Sequence, residues 1–124
     1  MEWKSSVKIL LMVNTSPWGS SRSGVALRFL RAALARRHEL SAIYFRADGV
    51  YHALPGRQAD PGTEDLSTVY AELARAHHIE LLLCSAAVTR RFSENATGFQ
   101  DPWRVAGLAR WVELLDQSER LVAF

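Results

Sequence analysis

Val7-Lys8-Ile9-Leu10-Leu11-Met12-Val13 runs into Asn14-Thr15-Ser16-Pro17-Trp18-Gly19-Ser20-Ser21, and the junction between the two decides the fold. The first stretch is apolar apart from Lys8 and partly β-branched, which reads as a buried strand. The second is made of turn formers and helix N-caps. Beyond it Val25, Ala26, Phe29, Leu30, Ala33 and Leu34 recur at helical spacing, predicting an amphipathic helix over about 21–37. Strand, loop and helix in that order are the unit of a parallel α/β sheet.

The unit recurs down the chain. His38 and Glu39 make the turn out of the first helix, and Leu40-Ser41-Ala42-Ile43-Tyr44-Phe45 reads as a second strand. Asp48-Gly49, Pro55-Gly56 and Asp60-Pro61-Gly62 mark a loop over 46–62. A helix starting at Thr63 or Glu64 carries Leu66, Val69, Tyr70 and Leu73 on one face. Ile79-Glu80-Leu81-Leu82-Leu83-Cys84 is a third strand, with a short helix from Ala86 to Arg91 behind it. Ser93 to Pro102 is polar and loop-like. Val105, Leu108, Val112 and Leu115 predict a last helix up to about Gln117, and Arg120-Leu121-Val122-Ala123-Phe124 closes as a strand. This alternation implies one mostly parallel sheet of four to five strands with helices on both faces. Its strand order is left open. In such sheets sites form at the carboxyl ends of strands, near the point where the strand order reverses. Three loops are expected to meet there: 14–21, 46–62 and the turn that begins at Cys84.

Composition bounds the rest. At roughly 150 residues per domain, a chain of 124 residues is read as one domain over 1–124. A hydrophobic content of 48% with 23% charged residues is that of a soluble globular protein, and argues against disordered or collagen-like chains. A single cysteine excludes an internal disulfide framework and a cysteine-rich zinc site. The longest apolar runs fall well short of the roughly 18 residues of a membrane span. The start, Met1-Glu2-Trp3-Lys4, lacks the pattern of a signal peptide. A cytoplasmic protein with a reduced thiol and no membrane contact is expected. The net charge is +2, unevenly spread: residues 1–46 carry a net +6 and residues 47–124 a net −4. Such an asymmetry steers a nucleic acid or an acidic partner, or is simply a solvated surface.

Cys84 is the first chemical candidate. It stands at the end of a strand and the start of a short helix, where N–H groups and the helix dipole favour an anion. Positions of this kind lower a thiol's pKa, and Arg90 and Arg91 add positive potential nearby. A cysteine persulfide is an anion and gains the same stabilisation. The competing reading is a buried cysteine acting as a small hydrophobe.

The loop from Thr15 to Gly24 is the second. Hydroxyls and glycines before a helix cradle phosphates in flavin- and nucleotide-binding proteins. The stretch lacks the spacing of a Walker motif or a dinucleotide fingerprint, and it equally reads as a capped βα turn shaped by Pro17 and Gly19. His38, His52, His77 and His78 show no metal-ligand spacing. His52 follows the second strand, within reach of the strand-end site or simply on the surface. No serine-nucleophile elbow is present. Trp18, Tyr51, Phe92, Phe99, Trp103 and Trp111 fall in loops or at helix edges, and clustered there they mark a protein–protein surface or a platform for base stacking.

Four stretches resemble the DsrE/TusD family of small sulfur-relay proteins, and its TusD/DsrE subunit most closely. Asn14-Thr15-Ser16-Pro17-Trp18-Gly19 is similar to the family's Gly-Pro-aromatic-Gly turn. The segment from His38 to Ala53, with His38-Glu39-Leu40, Tyr44-Phe45 and Gly49-Val50-Tyr51-His52-Ala53, is the most specific. Cys84-Ser85-Ala86-Ala87-Val88-Thr89-Arg90-Arg91 is similar to the family's cysteine segment, although Phe92 replaces a glycine after the arginine pair. Gly107-Leu108 and Asp116 to Phe124 resemble its closing helix and strand.

The resemblance implies a flavodoxin-like α/β fold and one sulfur-carrier domain. It makes Cys84 the sulfur-carrying cysteine, which accepts sulfane sulfur as a persulfide and passes it to a partner's cysteine. It implies a relay serving tRNA 2-thiouridine synthesis or dissimilatory sulfur metabolism. No metal and no organic cofactor are implied. The implied partners are an upstream persulfide donor, a downstream acceptor-cysteine protein, and homologous subunits in a hetero-oligomer, such as a dimer of heterotrimers, or a homo-oligomer. Direct nucleic-acid contact is not expected. Two other readings stand beside it: a non-catalytic interaction subunit, and a flavin- or nucleotide-phosphate-binding module using loop 14–21.

Overall fold

The computed structural model describes residues 6–54, 62, 65–92 and 98–124. Five strands form one sheet in which every pairing is parallel: β1 (Lys8–Val13), β2 (Glu39–Phe45), β3 (Leu81–Cys84), β4 (Trp103–Ala106) and β5 (Arg120–Ala123). Four α-helices connect them: α1 (Arg22–Ala35), α2 (Leu66–His77), α3 (Ser85–Arg91) and α4 (Leu108–Gln117). A 3₁₀ helix spans Ala47–Ala53 after β2.

The strand order is β4-β3-β2-β1-β5. The architecture is the expected doubly wound one, while the order differs from the flavodoxin order 2-1-3-4-5. The chain steps in one direction from β1 to β4, then α4 carries it back to β5 on the far side of β1. Because such crossovers are right-handed, a reversal of direction sends the connecting helix to the opposite face. The packing agrees. Leu11, Val13, Ile43, Phe45, Leu81 and Leu83 meet side chains of α1, α2 and α3 on one face. Their alternates Leu10, Ala42, Tyr44 and Leu82 meet Leu114 of α4 on the other. This period of two is the pleat of the strands read directly.

Two sequence expectations change. The last helix is shorter than its spacing predicts: Val105 belongs to β4, paired with Leu83, and α4 starts only at Leu108, while of the polar stretch before it 93–97 lie outside the described residues. Trp103 decides this. It is buried at the edge of the core with its ring 4.9 Å from that of Phe45, and one buried indole outweighs a helical turn that would bury only Val105. Within the loop 46–62, Ala47–Ala53 form the 3₁₀ helix, and 55–61 lie outside the described residues. So do Thr63 and Glu64; α2 itself begins at Leu66.

Gly49 explains how the 3₁₀ helix fits. Its α-carbon presses on the end of β1, where an added methyl would overlap the carbonyl oxygen of Val13. The same carbonyl accepts the Arg46 amide at 3.0 Å. Only a residue without a side chain allows this approach. No helix among the described residues is long and apolar enough to cross a membrane.

Candidate functional site

Cys84 is the last residue of β3 and the residue before α3, half-buried. It opens on a cavity of about 480 Å³ on the α4 side of the sheet. β2 contributes Tyr44 and, just past its end, Arg46; α3 contributes Arg90 and Arg91; α4 contributes Leu108 and Trp111. Strand pleat puts Tyr44 and Cys84 on the same face, because Tyr44 pairs with Leu82 and Cys84 follows two residues later.

The walls differ in character. Tyr44 is 2% exposed, its ring 4.8 Å from Trp111. Its hydroxyl donates to the Ala106 carbonyl at 3.0 Å. Burial pushes the phenol up to about 12, the neighbouring Cys84 adds to the rise, and Arg46 pulls the other way. Arg46 lies over the Trp111 ring at 5.8 Å, a cation–π distance. The Arg91 Nε donates to Asp48 at 2.9 Å. That exposed pair adds little stability but fixes where the guanidinium stands. Three guanidinium groups therefore face one cavity with a thiol at its edge, an environment suited to a sulfur anion.

Of the three loops expected to meet, two do. The segment after β2 and the turn after β3 line the cavity, whereas 14–21 does not. Its polar groups bond instead to α1 and the 3₁₀ helix. Ser23 of α1 donates to the Thr15 and Ser16 carbonyls at 3.0 and 2.9 Å, and its oxygen lies 2.9 Å from Thr15 Oγ1. His52 Nε2 lies 3.1 Å from both Ser23 Oγ and the Thr15 carbonyl. Tyr70 donates to the Ser23 carbonyl at 3.1 Å, and burial pushes its phenol well up. The Thr15 hydroxyl and the Thr15 and Ser16 carbonyls thus join the loop to the fold, while the Ser16 hydroxyl bonds to Trp18 within it.

His52 is likewise neither a surface residue nor a neighbour of Cys84: it is buried, with its ring 5.4 Å from Phe45 and 5.5 Å from Tyr70. Nor does the site lie where the strand order reverses. That point is beside β1, and Cys84 is two strands away.

The aromatics also divide. Trp18, Tyr51, Phe92 and Phe99 pack against one another in a row, at centroid separations of 6.2, 5.3 and 5.8 Å. Trp103 belongs to the core and Trp111 to the cavity wall. Sequence reading passed over Tyr44 and Arg46. The available signal was the spacing of Tyr44 on an alternating strand and the position of Arg46 one residue past its end.

Residues 7–124 match the DsrE/DsrF-like family. The chain is 32% identical to the DsrE protein of Allochromatium vinosum, over 95% of this chain and 98% of that protein. It is 34% identical to the sulfurtransferase TusD of Serratia proteamaculans, over 92% of this chain and 96% of that one. The crystal structure of the ychN protein from E. coli superposes with a TM-score of 0.80 at 19% identity, covering 95% of this chain and 99% of that chain, a likeness of fold.

Proposed function

This chain belongs to the DsrE/DsrF-like family, and we propose that it is a sulfurtransferase of a sulfur relay whose carrier atom is Cys84 Sγ. The observation that carries the reading is the placement of the chain's single cysteine. In a chain similar to sulfurtransferases over nearly its whole length, it stands half-exposed at a strand end, facing a cavity with three arginines.

The chemistry follows in two steps. The Cys84 thiolate attacks the outer sulfur of a donor persulfide; a new S–S bond forms at Cys84, and the donor's S–S bond breaks with its electron pair left on the donor sulfur. A partner's thiolate then attacks the outer sulfur now on Cys84, and the bond to Sγ breaks to regenerate the thiolate. Arg46, Arg90 and Arg91 offset the negative charge present at each stage. With no second cysteine in the chain, Cys84 has no internal thiol to form a disulfide with. Release therefore goes to another molecule.

The whole of 1–124 acts as one carrier domain, in the cytoplasm, with relay partners on either side. Homologous subunits, or further copies of this chain, complete the assembly. Loading with a persulfide donor and measuring intact mass tests the reading. The protein gains one sulfur atom, a reductant removes it, and Cys84→Ser gains none. Wild-type protein that takes up no sulfur would overturn it.

A further inference from the structure

Tyr44 brings a hydroxyl-bearing side chain from β2 to the cavity on which Cys84 opens. Its ring is held between the sheet and Trp111, and its hydroxyl reaches Ala106, the residue paired with Cys84 across β3 and β4. The hydroxyl is therefore fixed at the cysteine end of the ladder: the Tyr44 side chain reaches from β2 across β3 to the Ala106 carbonyl, on the face where Cys84 opens on the shared cavity. A phenol has one proton to donate, and its C–O bond rotates to suit the better acceptor.

We propose that Tyr44 is a catalytic residue of sulfur release, turning its O–H from the Ala106 carbonyl to Cys84 Sγ as that atom leaves as a thiolate. This rests on the sulfur-carrier reading above. In release the acceptor forms a bond to the outer sulfur of Cys84–S–SH. The Sγ–S bond breaks, its electron pair stays on Sγ, and the outer sulfur keeps its proton and departs with the acceptor. No external oxidant or reductant enters. Negative charge builds up on Sγ in this step, whereas in loading it starts there and is lost, and a hydrogen bond to an ion is stronger than one to a neutral carbonyl. A stabilised leaving thiolate departs faster. In loading the same bond raises the thiolate fraction but blunts its nucleophilicity, so the two effects oppose.

Release should therefore depend on the hydroxyl and loading should not. Tyr44→Phe keeps the ring against Trp111 and deletes only the oxygen. The full chain and the variant are loaded with sodium polysulfide, loading is followed by intact mass, and release to cyanide is followed as thiocyanate. Tyr44→Phe is expected to load within about twofold of the wild-type rate and to release about tenfold more slowly. Equal release rates, or loading and release slowed alike, would overturn the proposal. Replacing Tyr44 with 3-fluorotyrosine, a more acidic phenol of nearly the same shape, keeps the test open should the phenylalanine variant fold poorly. It speeds release if the hydroxyl donates to Sγ, and an unchanged rate counts against it. Wild-type protein that loads no sulfur would refute the carrier reading itself, and the role of Tyr44 with it.

Discussion

The two faces of the sheet are built from the same strands and finished differently. On one face α1, α2, α3 and the 3₁₀ helix pack over the alternating residues of β1, β2 and β3, and Ser23, His52 and Tyr70 lock loop 14–21 down with hydrogen bonds. On the other, α4 is the one helix among the described residues. Of its residues, all described, Leu114 alone is buried, while Leu108 is 75% and Val112 56% exposed. The cavity at Cys84 opens on this thinly covered side. The difference separates two tasks. The closed face holds the fold together, and the open face leaves a thiol approachable by a reacting partner.

That comparison can be broken by substitution, and the largest effect falls on chemistry. Cys84→Ser removes sulfur loading completely while leaving the melting transition close to wild type, because one sulfur at a half-exposed strand end supports little packing. Leu30→Ala on the closed face is expected to do the reverse: it destabilises by about 2–5 kcal/mol in denaturant titration, the range for a fully buried leucine, and leaves loading intact in the folded fraction. Gly49→Ala, which sets a methyl against the Val13 carbonyl, costs about 1–3 kcal/mol by the same measurement. Val112→Ser on the open face changes the stability of the isolated chain by no more than about 0.5 kcal/mol.

Alkaline titration sharpens the same contrast. Both Tyr44 and Tyr70 hold their protons more tightly in the fold than the ordinary value of 10.0. A raised folded pKa contributes stability that is whole below the unfolded value and lost as pH rises towards the folded one. Stability is thus expected to fall from about pH 10 towards 12, and Tyr70→Phe to flatten that decline.

Much of this was legible in the sequence, for physical reasons that differ by element. β1, α1 and β2 announce themselves because buried strands are continuously apolar and α1 repeats at helical spacing. Cys84 was legible by address, at the end of Leu81-Leu82-Leu83 and before a short helix. β4 was hidden because Val105 stands three residues before Leu108, so a four-residue edge strand fell in phase with the helix behind it. Its anchor, the packing of Trp103 on Phe45, joins residues far apart in the chain. The same limit applies to the site. Local pattern places Tyr44 on a strand and Arg46 after it, but only the pairing of β2 with β3 brings them to Cys84. His52 was misread because nothing local says that a 3₁₀ helix will turn it towards Ser23.

The most direct test of the central claim is the intact mass of the full chain after exposure to sodium polysulfide, with Cys84→Ser alongside. A sulfur carrier gains one sulfur atom on the wild-type chain, reversed by dithiothreitol and absent from the variant. An unchanged mass in the wild type, or the same gain in Cys84→Ser, would contradict it.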